Sequence, residues 1–237
     1  MEISQSTIDK LDALQNGIYQ SLLNVPYTTP KAALIWEVGG TKMKFRIMKS
    51  KLIFMNHILH LDDNTLAKEI QVAQDKFDDG GLTEEVRGFI GSLSLPDCFQ
   101  ARIPQAEWKR IVNKAINKAN EEEIRQAAAG YKKMKNTMVE GEIFECKKYI
   151  QTLPITKART LFKHKYSMTE KVKMNFKGDQ NFERLLWKCY KCQNQDTESH
   201  LLWCSGYSDL RQGIDLADDN DLCSYLQKIV QLRCKDD

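Results

Sequence analysis

The stretch CYKCQNQDTESHLLWC, residues 189–204, holds three of the chain's seven cysteines and one of its four histidines. The spacing is Cys189-x2-Cys192-x7-His200-x3-Cys204. Two cysteines three positions apart make a tight turn whose thiolates can share one cation. His200 and Cys204 are four apart, so a helix sets both on one face. Asp196 is placed to cap that helix, and Thr197 and Glu198 suit its first turn. One histidine and three cysteines fill the tetrahedral shell of Zn2+. A closed shell leaves no open position for water or substrate, so the spacing predicts a structural zinc ion. Leu201, Leu202 and Trp203 are expected to form the hydrophobic side of the module. A CxxC pair also serves redox chemistry, but no βαβ pattern surrounds this one. Cys98, Cys146, Cys223 and Cys234 are scattered and read as small packed residues.

The second chemical feature is charge. Lys157, Arg159, Lys163, Lys165, Lys171, Lys173 and Lys177 precede the motif, and Lys188 and Lys191 flank its first two ligands. Tyr149, Phe162, Tyr166, Phe176, Trp187 and Tyr190 are interleaved with them. The overall charge of +3 hides an uneven distribution. Residues 1–141 carry 19 Lys/Arg and 18 Asp/Glu, a net of +1. Residues 142–192 carry 12 against 5, a net of +7, and residues 193–237 carry 4 against 9, a net of −5. Basic side chains attract phosphate and release its counterions, and aromatic rings offer stacking faces to unpaired bases. Beside a zinc module the combination points to a nucleic-acid partner, RNA or single strands above all. The alternative is a helical protein-interaction module, with the basic segment docked on an acidic protein partner or on the chain's own last helix.

No catalytic residues emerge. The G-x-x-x-x-G-K-[ST], G-x-S-x-G and HExxH patterns are missing. Asp62-Asp63, Asp78-Asp79, Asp218-Asp219 and Asp236-Asp237 lack the aromatic and β-branched setting of a two-metal polymerase site and read as caps and turns. His57 and His60 lie three apart without further ligands and read as packed or surface histidines. The reading is therefore a non-enzyme with no small-molecule substrate. With 42% hydrophobic and 28% charged residues, the composition suits a soluble globular protein. No apolar run approaches the roughly 18 residues of a membrane span, so no membrane partner is expected. The start, MEISQSTIDK, does not read as a signal peptide. The expected setting is intracellular, nuclear or cytoplasmic, where clustered cysteines bind metal rather than pair as disulfides.

The elements that must position these residues are helical. Ile8, Leu11, Leu14, Ile18, Leu22 and Leu23 recur at helical spacing. Thr29-Pro30 opens a short helix that stops at Gly39-Gly40. Phe45, Met48, Leu52, Met55 and Leu59, widened by Ile47, Phe54 and Ile58, mark a core helix from Thr41 to His60. Helices follow from Asn64, from Thr83, over 104–130, and over about 143–151. Ile155, Ala158, Leu161 and Phe162 face inward on a helix over 155–165. Residues 167–181 read as a linker, and Leu222, Tyr225, Leu226, Ile229 and Val230 mark a last helix over about 221–233. The fold class is all-α: a multi-helix body with a small CCHC zinc module near the C-terminus. The divisions are a helical body over 1–141, a basic helical and linker segment over 142–181, and the zinc module with its terminal helix over 182–237.

Three stretches carry a family likeness. They are LLNVPYTTPKAALIWEVGGTKMKFRIMKSKLIFMNHIL at 22–59, TKARTLFKHKYSMTEKVKMNFKGD at 156–179, and the CCHC motif with the SGYSDLR that follows it. Together they resemble the carboxy-terminal region of the reverse transcriptase polyproteins of non-LTR (LINE-type) retrotransposons. There a helical linker follows the polymerase core and leads to a basic stretch and a zinc motif. The resemblance implies that Cys189, Cys192, His200 and Cys204 ligate the metal. It also implies that the basic residues of 157–177 face template RNA or target DNA. The polymerase fingers and palm with their paired aspartates have no counterpart here, nor has an endonuclease domain. The likeness therefore implies a truncated retroelement product, a fragment or a domesticated derivative.

Overall fold

The five prolines mark element boundaries, because proline has no amide hydrogen to give a helix interior. In the computed structural model, which describes residues 3–77, 81–131, 134, 145–166, 189, 191–192, 194 and 198–235, the chain is all-α. The described residues form eleven α-helices and no strand. They are α1 (Gln5–Leu23), α2 (Lys31–Val38), α3 (Met43–Leu59), α4 (Leu66–Phe77), α5 (Leu82–Ser92) and α6 (Gln105–Ala129). They continue with α7 (Lys148–Thr152), α8 (Ile155–Lys165), α9 (Glu198–Trp203), α10 (Ser208–Arg211) and α11 (Asp219–Lys235). The carbonyls of Pro30 and Pro154 accept the first amides of α2 and α8. Pro30 thus holds the capping position of α2. Gly39, with φ +63°, turns the chain away at the end of α2, as a glycine in the left-handed region does.

The helices fold into two compact units. The first comprises 1–17 and 39–127. Its core joins Phe45, Leu52 and Met55 of α3, Val86 and Ile90 of α5, and Trp108, Val112 and Ile116 of α6. The Trp108 indole N–H donates to the Leu52 carbonyl at 2.9 Å. Asn120, fully buried, accepts the Lys42 amide and donates to the Gly40 carbonyl, each at 3.1 Å. Lys42, at 2.8 Å, and Lys44 both pair with Glu123.

The stripe expected to bury α1 does so only in part: Leu23 is fully buried and Ile8 and Leu11 are half-buried. Leu14 and Ile18 are 64% and 58% exposed, and Gln15 and Asn16 are buried instead. The unpaired amides at the start of α3 explain the rotation: Asp12 Oδ1 accepts the Met43 N–H at 2.8 Å, and Gln15 donates to the Thr41 carbonyl. Phe54 is likewise exposed rather than part of the α3 core.

The second unit comprises 18–38 and 128–237. Residues 18–38, assigned from the sequence to the body over 1–141, pack here. Glu37 of α2 is fully buried. It accepts hydrogen bonds from the Tyr149 and Tyr166 hydroxyls, each at 2.7 Å, and pairs with Lys165 Nζ at 2.7 Å. Burial, and then the Glu37 carboxylate, push the Tyr149 hydroxyl above its usual range and keep it a donor. The Glu37 carbonyl takes the Lys147 amide at 2.9 Å, and Lys147 Nζ lies 4.8 Å above the Trp36 ring. With its amide so engaged, Lys147 precedes α7, which begins later than the predicted position near 143. Ala158, Leu161 and Phe162 of α8 are buried, but Ile155 in its first turn is exposed. α8 packs on α11, where the Cys223 thiol approaches the Lys157 carbonyl at 3.5 Å. The predicted linker over 167–181 lies outside the described residues.

Candidate metal centre

Two local structures bring the four predicted ligands together. The Cys189 amide donates to the Asn194 carbonyl at 2.7 Å and closes the first turn around Cys189 and Cys192. α9 carries His200, and the Cys204 amide bonds the His200 carbonyl at 2.8 Å, which extends the helical spacing to the fourth ligand. The ligand atoms of all four residues lie within 4.8 Å of one another. Cys189 and Cys204 are buried, while Cys192 and His200 are half-buried.

The distances fit a tetrahedral cation. Zinc–sulfur bonds of about 2.3 Å and zinc–nitrogen bonds of about 2.0 Å imply S···S edges of about 3.8 Å and S···N edges of about 3.5 Å. Cys204 Sγ lies 3.6 Å from both Cys189 Sγ and Cys192 Sγ, far beyond a disulfide bond. Cys192 Sγ and His200 Nε2 are 3.1 Å apart, so a bound ion would open that edge slightly. The Asn194 backbone N–H draws the Cys192 thiol below its usual pKa, whereas burial pushes Cys204 up to about 11. A coordinated cation would stabilise both as thiolates. These residues form a centre able to hold a metal ion.

The surrounding shell fixes the geometry. Leu201, Tyr207, Tyr225 and Ile229 pack with Cys189 and Cys204 in one small core. The Tyr225 hydroxyl donates to the Leu201 carbonyl at 2.7 Å, and Arg211 Nη1 donates to the Cys204 carbonyl at 2.6 Å. Gly206 allows the two halves to meet: a Cβ there would stand 2.4 Å from Lys191 Cβ. The predicted hydrophobic side of the module is only partly so. Leu201 is buried and Leu202 half-buried, but Trp203 is 74% exposed. The ring of Trp203 points to solvent because α9 is one short helix with a single packed face, and Leu201 occupies it.

The predicted basic residues are less uniform than their sequence suggests. Lys157, Arg159, Lys163 and Lys165 lie on α8 and are half-buried. Lys157 donates to Asn220 Oδ1 at 2.5 Å, Arg159 to the Leu22 carbonyl at 2.8 Å, and Lys165 is held by Glu37. Lys191 is exposed. Lys171, Lys173, Lys177 and Lys188 lie outside the described residues, as do Asp196 and Thr197. The interleaved Tyr149, Phe162 and Tyr166 are buried, which withdraws them as stacking faces. Phe176, Trp187 and Tyr190 are also outside the described residues.

His57 and His60 are not brought to a metal cluster among the described residues: His57 faces Gln105 at 3.3 Å and His60 the Asn56 carbonyl at 2.8 Å. Asp218 caps α11 through the amides of Asn220 and Asp221. Sequence reasoning missed Glu37 and the Tyr225–Arg211 shell. The signal for Glu37 was available, since it is the one acid within the apolar run AALIWEV. No helix among the described residues is long and apolar enough to cross a membrane. No family model, no curated protein and no solved structure matches the chain.

Proposed function

We propose that this chain is a non-catalytic, zinc-dependent nucleic-acid-binding protein that favours RNA or single strands. The proposal extends to its origin, as a derivative or part of a retrotransposon reverse transcriptase C-terminus, and to an intracellular setting. The observation that carries it is a closed cluster of four ligands at the end of a segment of net charge +7. Three thiolates and an imidazole suit zinc over magnesium or calcium, and the full shell makes the ion a structural one. The ion holds the turn at Cys189–Cys192 against α9 and so carries Lys191 as a fixed cation.

Electrophoretic shift with generic RNA and DNA at low salt tests the reading. Binding should fall when Lys163, Lys171, Lys173 and Lys177 are changed to Glu, with Lys165 left in place because Glu37 holds it. No binding, or binding indifferent to the reversals, overturns the proposal.

A second reading has its own support. Lys157, Arg159 and Lys165 each direct a donor to a partner inside the chain, which favours a helical protein-interaction module with a structural zinc site. Affinity capture that returns one defined protein after nuclease treatment supports this reading; loss of every partner under nuclease counts against it.

A further inference from the structure

We propose that Trp203 is the base-stacking residue of the chain: its indole face takes one unpaired base of a single-stranded nucleic acid, and Lys191 meets the neighbouring phosphate. The inference rests on the nucleic-acid reading above and supplies the contact that reading lacks.

Trp203 ends α9 and is 74% exposed, while Leu201, Tyr207 and Tyr225 of the same module are at most 1% exposed. An indole buries more area than almost any other side chain when it packs, so leaving it in water forgoes a large folding contribution. Its backbone is fixed on both sides. Tyr225 holds the Leu201 carbonyl, Arg211 holds the Cys204 carbonyl, and His200 and Cys204 belong to the metal cluster. A ring mounted on a rigid backbone has only two side-chain torsions to order on binding.

The occupant follows from charge. Trp203 is the one large hydrophobic side chain exposed among the described residues of 189–216. Lys191, exposed, packs its Cβ against Gly206, three residues beyond Trp203. A cation and an aromatic face on one small module match the alternating phosphate and base of a single strand. A duplex keeps its bases stacked on one another and offers such a ring only its ends.

The test uses the full zinc-loaded chain with labelled oligo(U), oligo(dT) and a blunt duplex of the same length at one salt concentration. Trp203→Ala and Trp203→Leu, the second retaining apolar bulk without an aromatic face, should each weaken single-strand binding about tenfold. Duplex binding should change less than about twofold, since phosphate contacts dominate it. Trp203→Phe should recover most of the single-strand affinity, and zinc content should stay at wild-type level in the Leu and Phe variants. Wild-type single-strand affinity in Trp203→Leu, or an equal loss on the duplex, overturns the stacking assignment alone. Failure of the unaltered chain to bind any of the three probes overturns the nucleic-acid reading and this inference with it.

Discussion

Replacing Glu37 by glutamine removes the one charge around which the second unit is knotted. The carboxylate is fully buried and accepts two tyrosine hydroxyls and one ammonium, each at 2.7 Å. Hydrogen bonds to a charged partner contribute about 1.5–3 kcal/mol each, against about 1 kcal/mol for neutral ones. Glutamine keeps one acceptor and offers the Tyr149 hydroxyl a donor, so the three contacts weaken without vanishing. Lys165, still about 29% exposed at its side chain, keeps access to water. The expected loss is about 3 kcal/mol, near the lower end for breaking a buried pair. Glu37→Leu should cost about 5 kcal/mol, because it leaves both buried hydroxyls without their acceptor. Denaturant unfolding of the full chain measures the loss, and hydrogen exchange of the α2 amides reports where it acts. Lys165→Met should be nearly neutral in the Glu37→Gln background and costly in the wild type, a coupling of about 2 kcal/mol. A Glu37→Gln stability within about 0.5 kcal/mol of wild type, or strict additivity with Lys165→Met, would refute the reasoning.

Three other outcomes are expected. Chelation or Cys189→Ser should remove the metal and change the near-ultraviolet circular dichroism, since Tyr207 and Tyr225 pack directly on the cluster, while most helical signal persists; an unchanged near-ultraviolet spectrum on loss of metal contradicts this. Gly206→Ala should cost about 1–3 kcal/mol by forcing Lys191 away, read as easier metal release in chelator competition, and wild-type retention counts against it. Burial alone would raise the Glu123 carboxyl, but the bonds and charges of Lys42 and Lys44 outweigh it and hold the group below its ordinary value of 4.5. A lowered folded-state pKa contributes stability above the unfolded value and loses it as pH falls through the lowered one, so melting temperature should drop below about pH 4.5 and drop less in Glu123→Gln.

Helix placement was largely legible because period and proline act locally. Pro154 and the run Ala158, Leu161 and Phe162 located α8, and the stretch between Pro104 and Gly130 located α6. The metal centre was legible for the same reason: four ligands within sixteen residues need only one turn and one helix to meet. The choice of zinc is a proposal that follows from the chemical preference of the donor set. The direction each face points was not legible. The α1 stripe reads as core by period, yet Leu14 and Ile18 face water while Asp12 and Gln15 turn inward to meet the Met43 amide and the Thr41 carbonyl. The aromatics at 149 and 166 read as stacking faces, yet their bonds to Glu37 and their burial withdraw them, whereas Phe162 is buried as its helical period predicts.

The sequence by itself determined the all-α class, the position of most helices and the candidate ligands Cys189, Cys192, His200 and Cys204. Each depends on residues within a few turns of one another, where spacing alone sets geometry. Tertiary structure decided that 18–38 belongs with the C-terminal unit, that Lys165 is held by Glu37 across 128 positions of chain, and that Trp203 is left facing water. Those outcomes depend on which distant groups compete for the same buried space and the same hydrogen bonds, and no local pattern encodes that competition.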